Sequence, residues 1–143
     1  MSQAYPGALT RERVDAVIAA SGFTSWVGTE LVDMEPGRVE IAVNLRRELT
    51  QHHGFGHGAV VGYMADTVCA WAAASVVGDV VTSEYKINLL APAIGQRLTA
   101  VGSVVKAGKS QVVTRADVFA EKDGVKKIVA TALATIAVVK AAS

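Results

Sequence analysis

The stretch that most restricts what this chain can become is residues 57–77, HGAVVGYMADTVCAWAAASVV. It opens on a histidine and a glycine, then turns apolar, with Ala, Val, Met, Cys and Trp spread around the circumference of a helix. A helix without a polar face has to be surrounded by protein. With His57 neutral, its only charge is Asp66, near the middle. Desolvation penalises an ionised carboxylate, so Asp66 needs either a structural partner or a chemical task. The rest of the chain must supply a wrapping for this helix.

The flanking sequence reads mostly as strands. Residues 11–20 place Val14, Val17 and Ile18 at helical spacing, behind Thr10 as a candidate N-cap and ahead of Gly22 as a stop. A short amphipathic helix is expected there, in an N-terminal segment (1–21) packed on the main body. Residues 23–33, with Trp26, Val27 and Val32, read as a strand. Glu35-Pro36-Gly37 is a turn, and 38–45 alternates with Val39, Ile41, Val43 and Leu45 on one face, completing a hairpin.

After Gly78 period two returns. Residues 80–90 put Ser83, Tyr85, Ile87 and Leu89 on one face and Thr82, Glu84, Lys86 and Asn88 on the other. Strands over 96–106 and 111–120 are joined across Gly108-Lys109-Ser110. Lys122-Asp123-Gly124 is a tight hairpin turn into a last strand, 125–140. With no strand–helix–strand alternation, the expected class is α+β with an antiparallel sheet. One helix cannot cover both faces of a six-stranded sheet, so a curved sheet wrapped around it is the economical packing. A length of 143 residues makes this one domain, 1–143.

Composition narrows the function classes. A net charge of +1, with its basic residues scattered, calls for neither nucleic acid nor an anionic membrane surface. The single cysteine, Cys69, excludes an internal disulfide and suits a reducing compartment. Its apolar neighbours favour packing over nucleophilic work. There is no apolar run of secretory type near the start, and no uninterrupted span of about 18 apolar residues. A soluble, cytoplasmic protein is the expectation. His52, His53 and His57 invite a metal, but the adjacent pair is expected to point apart, and no cysteine or second local carboxylate completes a zinc set. Neither a metal nor another cofactor is expected.

Gly58 and Asp66 are the two candidates for chemistry on the helix. The first-turn amides at Gly58 lack intrahelical acceptors and favour a developing negative charge, and glycine lets a ligand approach closely. Asp66 is suited to take a proton from water or to attack a carbonyl. Eight helical residues span about 12 Å, whereas groups acting on one carbonyl must lie within about 3.5 Å of the reacting atoms. If both residues serve one carbonyl, Asp66 must meet the Gly58 of a second copy. Two antiparallel helices about a two-fold axis provide this twice over.

The run Gln51-His52-His53-Gly54-Phe55-Gly56-His57-Gly58 followed by Asp66 resembles the signature of hotdog-fold acyl-coenzyme A thioesterases of the PaaI-like group. The residues from Thr82 to Ala93, then Gly95 and Ala107-Gly108-Lys109-Ser110, are similar to that group too. The resemblance covers about residues 20–140 and implies a long helix wrapped by a six-stranded antiparallel sheet. It implies an acyl-coenzyme A substrate, a homodimer or a tetramer built as a dimer of dimers, and no cofactor. By the same resemblance Gly58 donates its backbone N–H to the thioester carbonyl, and Asp66 from the opposite subunit is nucleophile or general base. Gln51 falls where relatives contact the carbonyl or the water, and Thr82 where some relatives orient that water. Gly108, Lys109 and Ser110 match a turn that meets the coenzyme A phosphates, and His57 and Ala59 flank the thioester. Ala59 stands where the group usually carries the second glycine of His-Gly-Gly. Two alternatives remain: a hydratase or dehydratase on the same fold, pairing His57 with Asp66, and an acyl-coenzyme A binding module without turnover.

Overall fold

A computed structural model describes residues 7–140; the first six residues of the expected N-terminal segment, and the last three of the chain, lie outside them. The central helix, α3 (Gly58–Val77), runs where the apolar stretch requires it, and 13 of its 20 residues are buried. By length and composition it could cross a membrane, but most of it is buried inside the protein's own fold.

Those strands are β1 (Glu30–Glu35), β2 (Arg38–Asn44), β3 (Val80–Leu89), β4 (Arg97–Ala107), β5 (Gln111–Lys122) and β6 (Val125–Val138). They form one sheet in the order β1-β2-β4-β5-β6-β3, and every neighbouring pair is antiparallel. α3 packs against all of β2 to β6. Five strands set about 4.8 Å apart span more than one helix is wide, so the sheet curls around α3. At Gly102 of β4 the sheet comes so near the helix that a Cβ would run into the Val68 carbonyl. Ile41, Val43, Leu98, Val118 and Ile136 are fully buried against the helix, each contributing about 1.5–3 kcal/mol by leaving water. The Lys122–Val125 connection turns on two positive-φ residues, Asp123 (φ 51) and Gly124 (φ 81), the backbone that a two-residue hairpin loop needs.

The sequence expectation fails in two places. Residues 23–33 are not one strand: helix α2 (Gly22–Val27) occupies the first part, and β1 begins only at Glu30. The cause is capping chemistry. The Ser21 hydroxyl accepts from the Thr24 amide, and Gly28 closes the helix in the left-handed region at φ 84. α2 follows directly on α1 (Arg11–Ala20), with Ser21 serving both ends. Thr10 is the N-cap of α1, although its side chain makes no capping bond.

The second failure is on β3. Thr82 pairs with Ile136, but Glu84 pairs with Thr135, leaving Ser83 as a bulge. An extra residue reverses the alternation beyond it. Thr82 therefore lies on the helix side together with Tyr85 and Ile87, not on the opposite face with Glu84 and Lys86. The outward position of Glu84 is fixed by a 2.6 Å bond from the Thr135 hydroxyl.

Candidate active site

The first turn of α3 is built by His57. Its backbone is extended (φ −65, ψ 141), and its ring Nδ1 accepts from the Ala59 amide at 2.9 Å. The His57 carbonyl takes the amides of Val60 and Val61. Among the described residues nothing accepts from the Gly58 amide. It is the free donor at the positive end of a 20-residue helix.

Gly58 opens onto a groove of about 450 Å³ lined by Gln51, Phe55, Val61, Leu89, Leu90 and Val129, among others. Gln51 lines the same groove as Gly58. Its Oε1 accepts from the His53 amide, which anchors the side chain in the loop. Ala59 lies on the other flank of the helix start, in a groove of about 210 Å³ shared with His57, Phe23 and Trp26. The methyl that replaces the usual second glycine therefore stands away from the Gly58 groove.

Asp66 is half-buried and sits two turns further on. Its Oδ1 accepts a 2.6 Å bond from the Thr82 hydroxyl, while no donor among the described residues reaches Oδ2. The Ser83 bulge makes this pairing possible by turning Thr82 inward. Thr82 is brought to the carboxylate, and Gly58 is not: eight residues along one helix leave about 12 Å between them.

Helix α3 and strand β3 run side by side, touching at three successive points. Gly58 meets Leu89, with a built Cβ 3.8 Å from its Cδ1. Gly62 meets Tyr85, whose hydroxyl lies 3.1 Å from where a Cβ would be. Asp66 meets Thr82. Residues 58, 62 and 66 follow one stripe of the helix at i, i+4, i+8. The Gly58–Gly62 spacing is the signal in the sequence that could have located Tyr85 and Leu89 at the site.

The turn Gly108-Lys109-Ser110 is exposed. Gly108 donates to the Gln111 carbonyl at 2.8 Å, and Ser110 accepts from the Val138 amide at 3.0 Å. Val138 pairs with Val80 at the start of β3, whereas Gly58 lies against Leu89 at its end. Nine strand residues put about 30 Å between the two regions. Within one protomer the turn belongs to the Asp66 end of the molecule.

α2, unread in the sequence, adds an aromatic wall beside the helix start. Phe23 stacks edge-on to Tyr63 at 5.1 Å and lies 6.2 Å from Trp26. The Arg46 guanidinium sits 4.8 Å over the Trp26 ring and bonds the carbonyls of Trp26 and Val27, closing the C-terminal end of α2. Tyr63 is anchored in turn by a 2.6 Å bond with Thr29.

The His52 and His53 rings face each other at 4.0 Å rather than pointing apart, and His53 stacks on Phe55. No group of three or more His, Cys, Asp or Glu placed to hold a metal occurs among the described residues. Cys69 is fully buried. Burial pushes its thiol up from 9.0 to about 11; the Thr114 hydroxyl offsets part of this, and the Asp66 charge adds to it. It is inert packing at neutral pH.

Comparison with known proteins agrees with this fold. The profile of the thioesterase superfamily matches residues 53–127. A thioesterase family protein from Silicibacter pomeroyi is 35% identical in a superposition covering 88% of this chain and 95% of that one, with a TM-score of 0.84. Two more distant structures share the fold. The Escherichia coli PaaI protein has a TM-score of 0.80 at 22% identity, covering 91% of this chain and 93% of its own. A Haemophilus influenzae thioesterase has a TM-score of 0.83 at 20% identity, covering 99% and 98%. The chain belongs to the thioesterase superfamily and shares its hotdog fold with the PaaI protein; the reaction class that this membership supports is thioester hydrolysis.

Proposed function

We propose that the protein hydrolyses an acyl-coenzyme A thioester in a homodimer whose α3 helices run antiparallel about a two-fold axis. A tetramer would be two such dimers. Each of the two sites takes the Gly58 amide from one protomer and Asp66 from the other. The amide binds the carbonyl oxygen as it gains negative charge. Asp66, held by Thr82, acts as nucleophile or as general base on water. The carbon–sulfur bond breaks; water's oxygen ends on the acid, and its proton on the released thiol. Gln51 contacts the carbonyl or the water, His57 holds the helix start through its cap on Ala59, and Gly108-Lys109-Ser110 meets the coenzyme A phosphates.

One observation carries this reading: the unpartnered Gly58 amide and the Thr82-held Asp66 carboxylate lie on one helix stripe, too far apart to share a carbonyl within one chain. Strand β3 beside them is a sheet edge, with Val81 and Leu89 58% and 62% exposed. An open apolar edge is a ready surface for a second copy. A hydratase would need His57 to work on the acyl chain. Its Nδ1 is instead engaged in capping Ala59.

Thiol release from acyl-coenzyme A tests the proposal. Asp66→Asn is expected to lower kcat/KM by about 10²–10⁴-fold while its urea unfolding transition stays near that of the wild type. An Asp66→Asn protein that turns over at the wild-type rate would overturn the mechanism.

A further inference from the structure

We infer that Tyr85 sets the length of acyl chain the site accepts, by standing at the two-fold axis between the two sites. This rests on the dimeric reading above and adds the substrate class to it. When residue 58 of one helix faces residue 66 of an antiparallel copy, residue 62 faces itself, because it lies midway. The axis therefore passes at Gly62. Gly62 is buried although its stripe neighbours Gly58 and Asp66 are more open, and the side chain against it is Tyr85.

Tyr85 reaches this place because the Ser83 bulge leaves it on the helix side of β3, opposite buried Ala134. Its hydroxyl uses the space of the missing Gly62 side chain and has no hydrogen-bond partner among the described residues. The residue remains 39% exposed on the open edge of the protomer, so a second copy would bring two such rings together.

The thioester has two arms. The coenzyme A arm carries phosphates and has to leave toward water. The acyl arm is apolar and gains by running inward along α3, toward the axis. Four helical residues separate each reacting carbonyl from residue 62, about 6 Å of travel. There the acyl chain meets the Tyr85 ring. Wild-type protein is thus a short-chain acyl-coenzyme A hydrolase, and the ring is the end wall of its pocket.

The test is a series of straight-chain acyl-coenzyme A substrates of increasing length, with kcat/KM from thiol release and the dimer verified by light scattering. Tyr85→Ala should raise the long-to-short ratio of kcat/KM on the order of tenfold, the scale on which an apolar pocket discriminates methylenes. Tyr85→Phe keeps the ring and should retain the wild-type length dependence. Gly62→Ala, which favours the helix and pushes the phenol toward the axis, should lower the ratio. The opposite signs keep the test decisive if one variant folds poorly. A wild-type protein that hydrolyses the series while Tyr85→Ala and Gly62→Ala share its profile overturns this inference alone. A wild-type protein that releases no thiol from any member overturns the hydrolase reading and this inference with it.

Discussion

Asp66 and Thr82 form the contact on which the proposed chemistry turns. The carboxylate accepts from a single hydroxyl, at 2.6 Å, so that bond fixes which oxygen stays free. Thr82→Val keeps the β-branched shape and removes the donor. We expect kcat to fall about tenfold with KM little changed, because the carboxylate loses its orientation but not its place. Steady-state kinetics on one good substrate would decide this, and an unchanged kcat would show the bond to be structural only. Asp66 itself was legible in the sequence, because a lone acid in an apolar helix needs explaining. Gly58 was legible because a glycine at a helix start leaves an amide uncovered. The Asp66–Thr82 bond was not, since strict alternation placed Thr82 on the wrong face of β3. The cap that the His57 ring makes on Ala59 was not legible either, since the sequence does not say which way the ring turns.

Among the elements, α3 and its seat on β4 carry the fold. Gly102→Ala drives a methyl into the Val68 carbonyl, a backbone atom that cannot swing aside. A loss of about 1–3 kcal/mol is expected, read as a lower urea midpoint with the slope unchanged. The long helix, the hairpin turns and the late strands were readable because each has a strong period and clear punctuation. α2 was missed for a physical reason. Its six residues are too few to show a helical period, and Phe23, Trp26 and Val27 read equally well as strand. The signal lay in its ends, Ser21 before and Gly28 after, which outweigh intrinsic preference in so short a segment. The Ser83 bulge had no such marker: a single inserted residue in a β-branched and aromatic run changes the register without changing the composition.

At the scale of the molecule the question is whether the sites are shared between chains. The two halves of a site can be inactivated separately. Gly58→Pro removes the free amide at the first helical position, where proline is well tolerated, and the preceding residue already has the extended backbone that proline requires. Asp66→Asn removes the acid. Each variant alone should be nearly inactive, while unfolding and refolding them together should restore about a quarter of wild-type activity, since half the dimers are mixed and each has one intact site. A mixture as dead as its components would place the whole site in one chain. The order β1-β2-β4-β5-β6-β3 sends β3 to a free edge of the sheet, an arrangement the strand pattern alone could not reveal. The buried Cys69 has a practical corollary for all of these measurements. A chromogenic disulfide reagent added to native protein meets no accessible thiol on it, so colour during turnover reports coenzyme A alone, and denaturant at the end exposes one equivalent per chain as a built-in count of enzyme.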